Sequence, residues 1–114
     1  MVYNFSGQNM DFIETTLFTR QVTEYLSDDE YRELQYELVA RPDMGVLIQH
    51  SGGIRKARWG LDGRGKRGGA RFIYYWAVSE ELIYLLMMYP KNVKADLTPE
   101  QIKVLRQIVM EEFK

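Results

Sequence analysis

Seven of the chain's fifteen lysines and arginines fall in one stretch: Arg55, Lys56, Arg58, Arg64, Lys66, Arg67 and Arg71. Asp62 is the one acid among them, so the stretch carries a formal charge of +6. The rest of the chain, with eight cations against fifteen acids, carries −7. A net charge of −1 therefore conceals a divided molecule. Such a division concentrates positive potential on one region and steers polyanions toward it. Phosphate suits these residue types: arginine offers a planar fork of donors and lysine a compact charge.

What the residues could do beyond binding is bounded by what is missing. There are no cysteines, which excludes disulfides, zinc–thiolate sites and cysteine nucleophiles. His50 is the single histidine, so a two-histidine RNA-cleaving site is impossible, and beside Ser51 and Gly52 it reads as an incidental surface residue. No acidic pair accompanies the basic run, which argues against a two-metal nuclease, and Asp62 alone is a poor metal site. No metal and no cofactor are expected. Metal-free cleavage of RNA needs other groups. The 2′-OH attacks the adjacent phosphate when a base takes its proton and cations offset the added negative charge. Lysine among other cations can act as that base, and arginine can stabilise the phosphorane-like transition state. Lys56, Arg58, Arg71 and Lys91 are of those types. The residues alone lead to an RNA or DNA phosphate site, binding or cutting.

These side chains need strands to hold them. Ile54 to Trp59 alternates, which puts Lys56 and Arg58 on one face and Arg55, Ala57 and Trp59 on the other. In the aromatic and β-branched stretch Arg71 to Val78, Arg71, Ile73 and Tyr75 oppose Phe72, Tyr74 and Trp76, and the wholly aromatic set reads as the core face. Leu82 to Tyr89 follows a short connection, giving an antiparallel hairpin. Tyr89 and Lys91 share parity at its end and can join the face of Lys56, Arg58 and Arg71. Between the first two strands lies the glycine-rich loop Gly60 to Gly69 with Arg64, Lys66 and Arg67, suited to following a phosphate backbone. Its Gly63-Arg64-Gly65-Lys66-Arg67-Gly68 fits G-x-G-x-x-G, but a β-rich segment follows where a dinucleotide site needs a helix. The plainer reading of the run is a solvated hairpin tip; convergence of cations on one face speaks against it.

The remaining elements are ordinary packing units. Residues 1–9 read as a loose leader and 10–114 as a single domain. Phe12 to Phe18 is a weakly patterned first strand, and Phe18 to Tyr25 a short helix. Ser27-Asp28-Asp29-Glu30 starts a second helix with a capping box, its inner face formed by Tyr31, Leu34, Gln35 and Leu38, ending at Pro42. Val46-Leu47-Ile48 is a further short strand. Thr98-Pro99-Glu100-Gln101 starts the last helix, with Ile102, Leu105, Ile108, Val109 and Phe113 as its stripe. The order predicts an α+β fold: a helical hairpin packed on a small antiparallel sheet, then a C-terminal helix. No signal peptide is legible, and the longest apolar run, Leu82 to Tyr89, is too short to span a bilayer. A cytoplasmic location without membrane contact is expected.

Three stretches carry a family resemblance: Gly52-Gly53-Ile54-Arg55-Lys56-Ala57-Arg58-Trp59, Gly65-Lys66-Arg67-Gly68-Gly69-Ala70-Arg71-Phe72-Ile73-Tyr74-Tyr75, and Leu85-Leu86-Met87-Met88-Tyr89-Pro90-Lys91. With Asp96-Leu97-Thr98 and the terminal helix, they resemble the HigB branch of the RelE/ParE superfamily of type II toxins. The resemblance covers the chain from about residue 10. It implies a RelE-like fold and a toxin that enters the A site of the 70S ribosome and cleaves mRNA there, blocking translation. It also implies a cognate antitoxin, with a helix-turn-helix protein expected, and through it an indirect link to operator DNA. The family's basic site corresponds to Lys56 and Arg58 for the strand cations, Arg71 for the transition-state arginine and Lys91 for the cation at the last strand's end. Arg55, Arg64, Lys66, Arg67 and Tyr89 are then expected to bind RNA. After Lys91 the chain has no Tyr or His, so the C-terminal tyrosine of some relatives has no counterpart, and Tyr89 is the aromatic substitute. A ParE-like toxin that poisons gyrase without cutting RNA is the competing reading, and a non-catalytic nucleic-acid binding module a third. A helix-turn-helix reading frame next to the gene would exclude the third.

Overall fold

Apolar side chains on both faces of one sheet decide the architecture. The computed structural model describes residues 2–4, 10–60, 69–90 and 97–112. Its elements run β1 (Val2–Asn4), β2 (Asp11–Glu14), α1 (Thr16–Tyr25), α2 (Asp28–Ala40), β3 (Val46–Leu47), β4 (Ile54–Trp59), β5 (Ala70–Ala77), β6 (Leu82–Pro90) and α3 (Pro99–Glu112). The six strands lie in the order β1-β2-β6-β5-β4-β3. The fold is α+β.

The sheet is mixed, which corrects the expectation of an antiparallel one. β3–β4, β4–β5, β5–β6 and β1–β2 are antiparallel, but β2 runs parallel to β6 from Asp11↔Leu82 to Glu14↔Leu85. No tight turn joins β2 to β6. Two helices and three strands intervene, so no hairpin imposes an antiparallel sense. Thr15 fastens the end of β2, its N–H donating to Leu85 O at 3.1 Å and its hydroxyl to Leu86 O at 2.7 Å. The same hydroxyl accepts the Phe18 N–H at 3.0 Å and caps α1. The first strand therefore ends at Glu14 instead of running to Phe18, and Phe18 becomes a buried helical residue. Val2–Asn4, within the stretch read as a leader, pairs with β2 as an edge strand.

The caps of the later helices form as their sequences dictate. Ser27 and Glu30 bond reciprocally at the start of α2, at 2.8 and 3.1 Å. Thr98 and Gln101 do the same before α3, also at 2.8 and 3.1 Å. Leu34, Gln35 and Leu38 of α2 are buried, as are Leu105 and Val109 of α3. Phe113 lies outside the described residues.

Two cores result. On one face Phe18, Val22, Leu34 and Leu38 pack on Phe12, Phe72, Tyr74, Leu85 and Met88. On the other Leu105 and Val109 pack on Ile13, Ile54, Ile73, Tyr84 and Leu86. The aromatic face of β5 is thus one core face of two. Glu14, 9% exposed, ties β2 to both first helices by accepting the Thr19 hydroxyl at 2.6 Å and the Tyr31 hydroxyl at 2.5 Å.

A bulge interrupts the β5–β6 ladder. Ile73 pairs with Met87 and Tyr74 with Leu85, which leaves Leu86 as the extra residue. Leu86 therefore faces the α3 core, as Met87 does, and every later side chain of β6 is turned over relative to simple alternation.

Candidate nucleic-acid interface

The antiparallel register sets Arg58 opposite Arg71, and Arg71 opposite Tyr89. These three residues form one row across β4, β5 and β6, on the sheet face that also carries α3. Directly paired residues of this kind stand about 4.5–5.5 Å apart at Cα. Lys56 occupies the next row, opposite Ile73, about 7 Å along the strand. The alternation in β4 and β5 is enough to bring Lys56, Arg58 and Arg71 onto one face. For Tyr89 the bulge decides. Had Leu86 been paired in regular alternation, the Tyr89 ring would enter the α1/α2 core.

Arg58 is exposed, while Lys56 and Arg71 are half-buried. Like charges directly opposite on neighbouring strands destabilise a sheet. The fold therefore sustains an unfavourable pair where an anion would be welcome. Tyr89 is 9% exposed and its hydroxyl is enclosed, with no hydrogen-bond partner among the described residues. The Tyr89 ring thus belongs to the core on the α3 side and closes the end of the row.

Arg55 does not join this row. It lies on the opposite face, where its Nη1 donates to Gly45 O at 2.8 Å and Asp43 O at 3.3 Å. Its cation secures the loop between α2 and β3. Arg64, Lys66, Arg67 and Lys91 lie outside the described residues. The connection carrying the first three leaves the sheet at Trp59 and rejoins it at Ala70, a pair one step beyond Arg58 and Arg71. Among the described residues no three His, Asp or Glu side chains cluster as metal ligands. No described helix is long and apolar enough to cross a membrane.

Gln21 was not legible as part of this region. Past Glu14 the outer edge of β6 has no described strand beside it, and Gln21 of α1 accepts the Met88 N–H at 2.8 Å. It steadies the backbone one residue before Tyr89. A polar side chain on an amphipathic helix gives no sequence signal for such a bond.

Residues 10–114 match the family described as the RelE toxin of the RelE / RelB toxin–antitoxin system. The chain belongs to the RelE toxin family. It is thus the toxin of a toxin–antitoxin pair, and an antitoxin is its implied partner. The RelE match runs from just before β2 through α3, so both cores and the Arg58–Arg71–Tyr89 row fall within it.

Proposed function

We propose that this RelE-family toxin belongs to the HigB branch and is a ribosome-dependent endoribonuclease that cuts mRNA in the A site without a metal. The observation that carries this reading is the Arg58–Arg71–Tyr89 row with Lys56 beside it. A phosphodiester on the row meets two guanidinium groups. Attack by the neighbouring 2′-OH forms the new P–O bond and breaks the bond to the 5′-oxygen of the next nucleotide, which takes a proton from water and leaves as a 5′-OH beside a 2′,3′-cyclic phosphate. In this reading Lys56 receives the 2′-OH proton, Arg71 neutralises the charge that grows on the non-bridging oxygens, and Arg58 and Lys91 hold the strand. The Gly60 to Gly69 loop, with Arg64, Lys66 and Arg67, adds binding that salt screens. The partners of this reading are the 70S ribosome with its mRNA, and an antitoxin of the helix-turn-helix kind that links the pair to operator DNA.

The test is mapping of mRNA 5′ ends by primer extension after brief induction, wild type beside Arg71→Ala. Cleavage within codons is expected for the wild type. On purified, saturating ribosomes Arg71→Ala should lose roughly 10²–10³ in rate, the usual cost of removing one preorganised charge from a transition state. Near wild-type cutting by the variant would refute the site. Replication stopping before translation would replace this reading with the gyrase-poisoning one.

A further inference from the structure

A groove of about 410 Å³ opens beside the cation row, between the β3–β4 hairpin and the start of α3. Val46, Ile48, Leu97 and Ile102 supply its apolar walls, His50 a ring and Lys56 a cation. Its size lies at the lower end of small-ligand clefts, roughly 300–1,000 Å³. Lys56 belongs to the groove and to the face of Arg58 and Arg71 at once. The groove and the row are thus one continuous surface.

His50 is held there in an uncommon backbone conformation. Its φ is 63°, in the left-handed region that residues with a Cβ seldom adopt. Ser51, 1% exposed, builds the turn that imposes this, donating to Ile48 O at 2.6 Å and accepting the Ile54 N–H at 2.9 Å. Gly52 and Gly53 follow with φ of 78° and 108°. Histidine is one of the few residues with a Cβ that enter this region with any frequency, and here the turn sets it at the groove.

Resting on the reading of the row as an RNA site, we propose that this groove is a base subsite. It takes the nucleobase of the nucleotide next to the one whose phosphate lies on Arg58 and Arg71. The aliphatic walls cover the base's faces, the His50 ring stacks on it or bonds its edge, and Lys56 meets the intervening phosphate. A polypeptide suits the place less well. β3 has two residues, too few to template an added strand, and the cations alongside favour a polyanion.

The experiment uses full-length toxin with labelled Ile, Leu and Val methyl groups, titrated with 2′-O-methyl trinucleotides, which cannot be cleaved, and separately with inorganic phosphate. Trinucleotides should shift the Val46, Ile48 and Ile102 methyl signals, while phosphate leaves them in place and perturbs the Arg58 side chain. His50→Gly, which relaxes the backbone, should weaken trinucleotide binding roughly tenfold, in line with the loss of one base-stacking partner, and leave phosphate binding unchanged. Ile102→Trp, which fills the groove, should do the same. Silent methyl signals at trinucleotide saturation would overturn the proposal. So would unchanged affinity in His50→Gly, or methyl shifts produced by the purified antitoxin but not by RNA. If primer extension still showed mRNA cleavage in any of those cases, the base subsite would fall and the endoribonuclease reading would stand. An Arg71→Ala toxin that cuts normally would refute the endoribonuclease reading, whatever the groove binds.

Discussion

Arg58 and Arg71 repel each other across two strands, and that pair invites a measurement of stability as well as activity. Cross-strand pairs in a sheet are worth roughly 0.2–1 kcal/mol, and like charges directly opposite act against the fold. Arg58→Gln should therefore raise the melting temperature by about 1–4 °C in a domain of this size while lowering cleavage. A fall in melting temperature would mean that the pair is not a strained one. The placement of these residues was legible in the sequence, because alternation in β4 and β5 needs no tertiary information. Alternation also put Arg55 on the other face, and the structure binds it there to loop carbonyls. Tyr89 was legible by parity with Lys91 alone. Which face that parity met depended on the bulge at Leu86, and no residue type in Leu82 to Tyr89 announces one.

Elements whose signals are local could be read, and those fixed by distant contacts could not. Both capping boxes form because their partners sit three residues apart. The parallel pairing of β2 with β6 joins residues about seventy positions apart and has no local mark. Tyr74 is a second such case. Its hydroxyl donates to Pro42 O at 2.6 Å and accepts the Gly45 N–H at 2.9 Å, locking the loop from α2 into β3. A Cβ at Gly45 would stand 2.9 Å from the Tyr74 ring, so the lock also requires glycine there. Burial pushes the Tyr74 phenol above its ordinary value of 10.0, and burial does the same to Tyr84. A raised value means that the folded state keeps a proton the unfolded chain gives up. The associated stability is complete below pH 10.0 and disappears as pH climbs through the folded value. Urea melts at rising alkaline pH should show this loss. Tyr74→Phe should show less of it, on a baseline about 1–3 kcal/mol lower because the Gly45 N–H loses its acceptor. An equal alkaline loss in the variant would remove Tyr74 as its source.

At the scale of the whole molecule, the sheet separates charge. The layer of α1 and α2 carries Glu24, Asp28, Asp29, Glu30, Glu33 and Glu37, and the far face carries Lys56, Arg58 and Arg71. A toxin polarised in this way meets a polyanion in one orientation. Its affinity for ribosomes should fall steeply between 50 and 200 mM salt, by about 10³ or more if six phosphates are contacted. Arg58→Gln should flatten the logarithmic slope by about one unit. Binding indifferent to salt would place the contact surface elsewhere.

The extra residue in β6 also governs how the gene can drift. Substitution at Leu86 changes packing alone. Loss of its single codon would remove the bulge and leave the pairs on either side of it as they are, Tyr74 with Leu85 and Ile73 with Met87, so that Tyr89 still stands opposite Arg71. A library of one-codon deletions, selected for survival without antitoxin, should therefore be poor in losses of Leu86 and richer in losses within β5, which has no spare residue between Arg71 and Ile73. At Leu86 the β6 strand is a residue longer than the cation row requires.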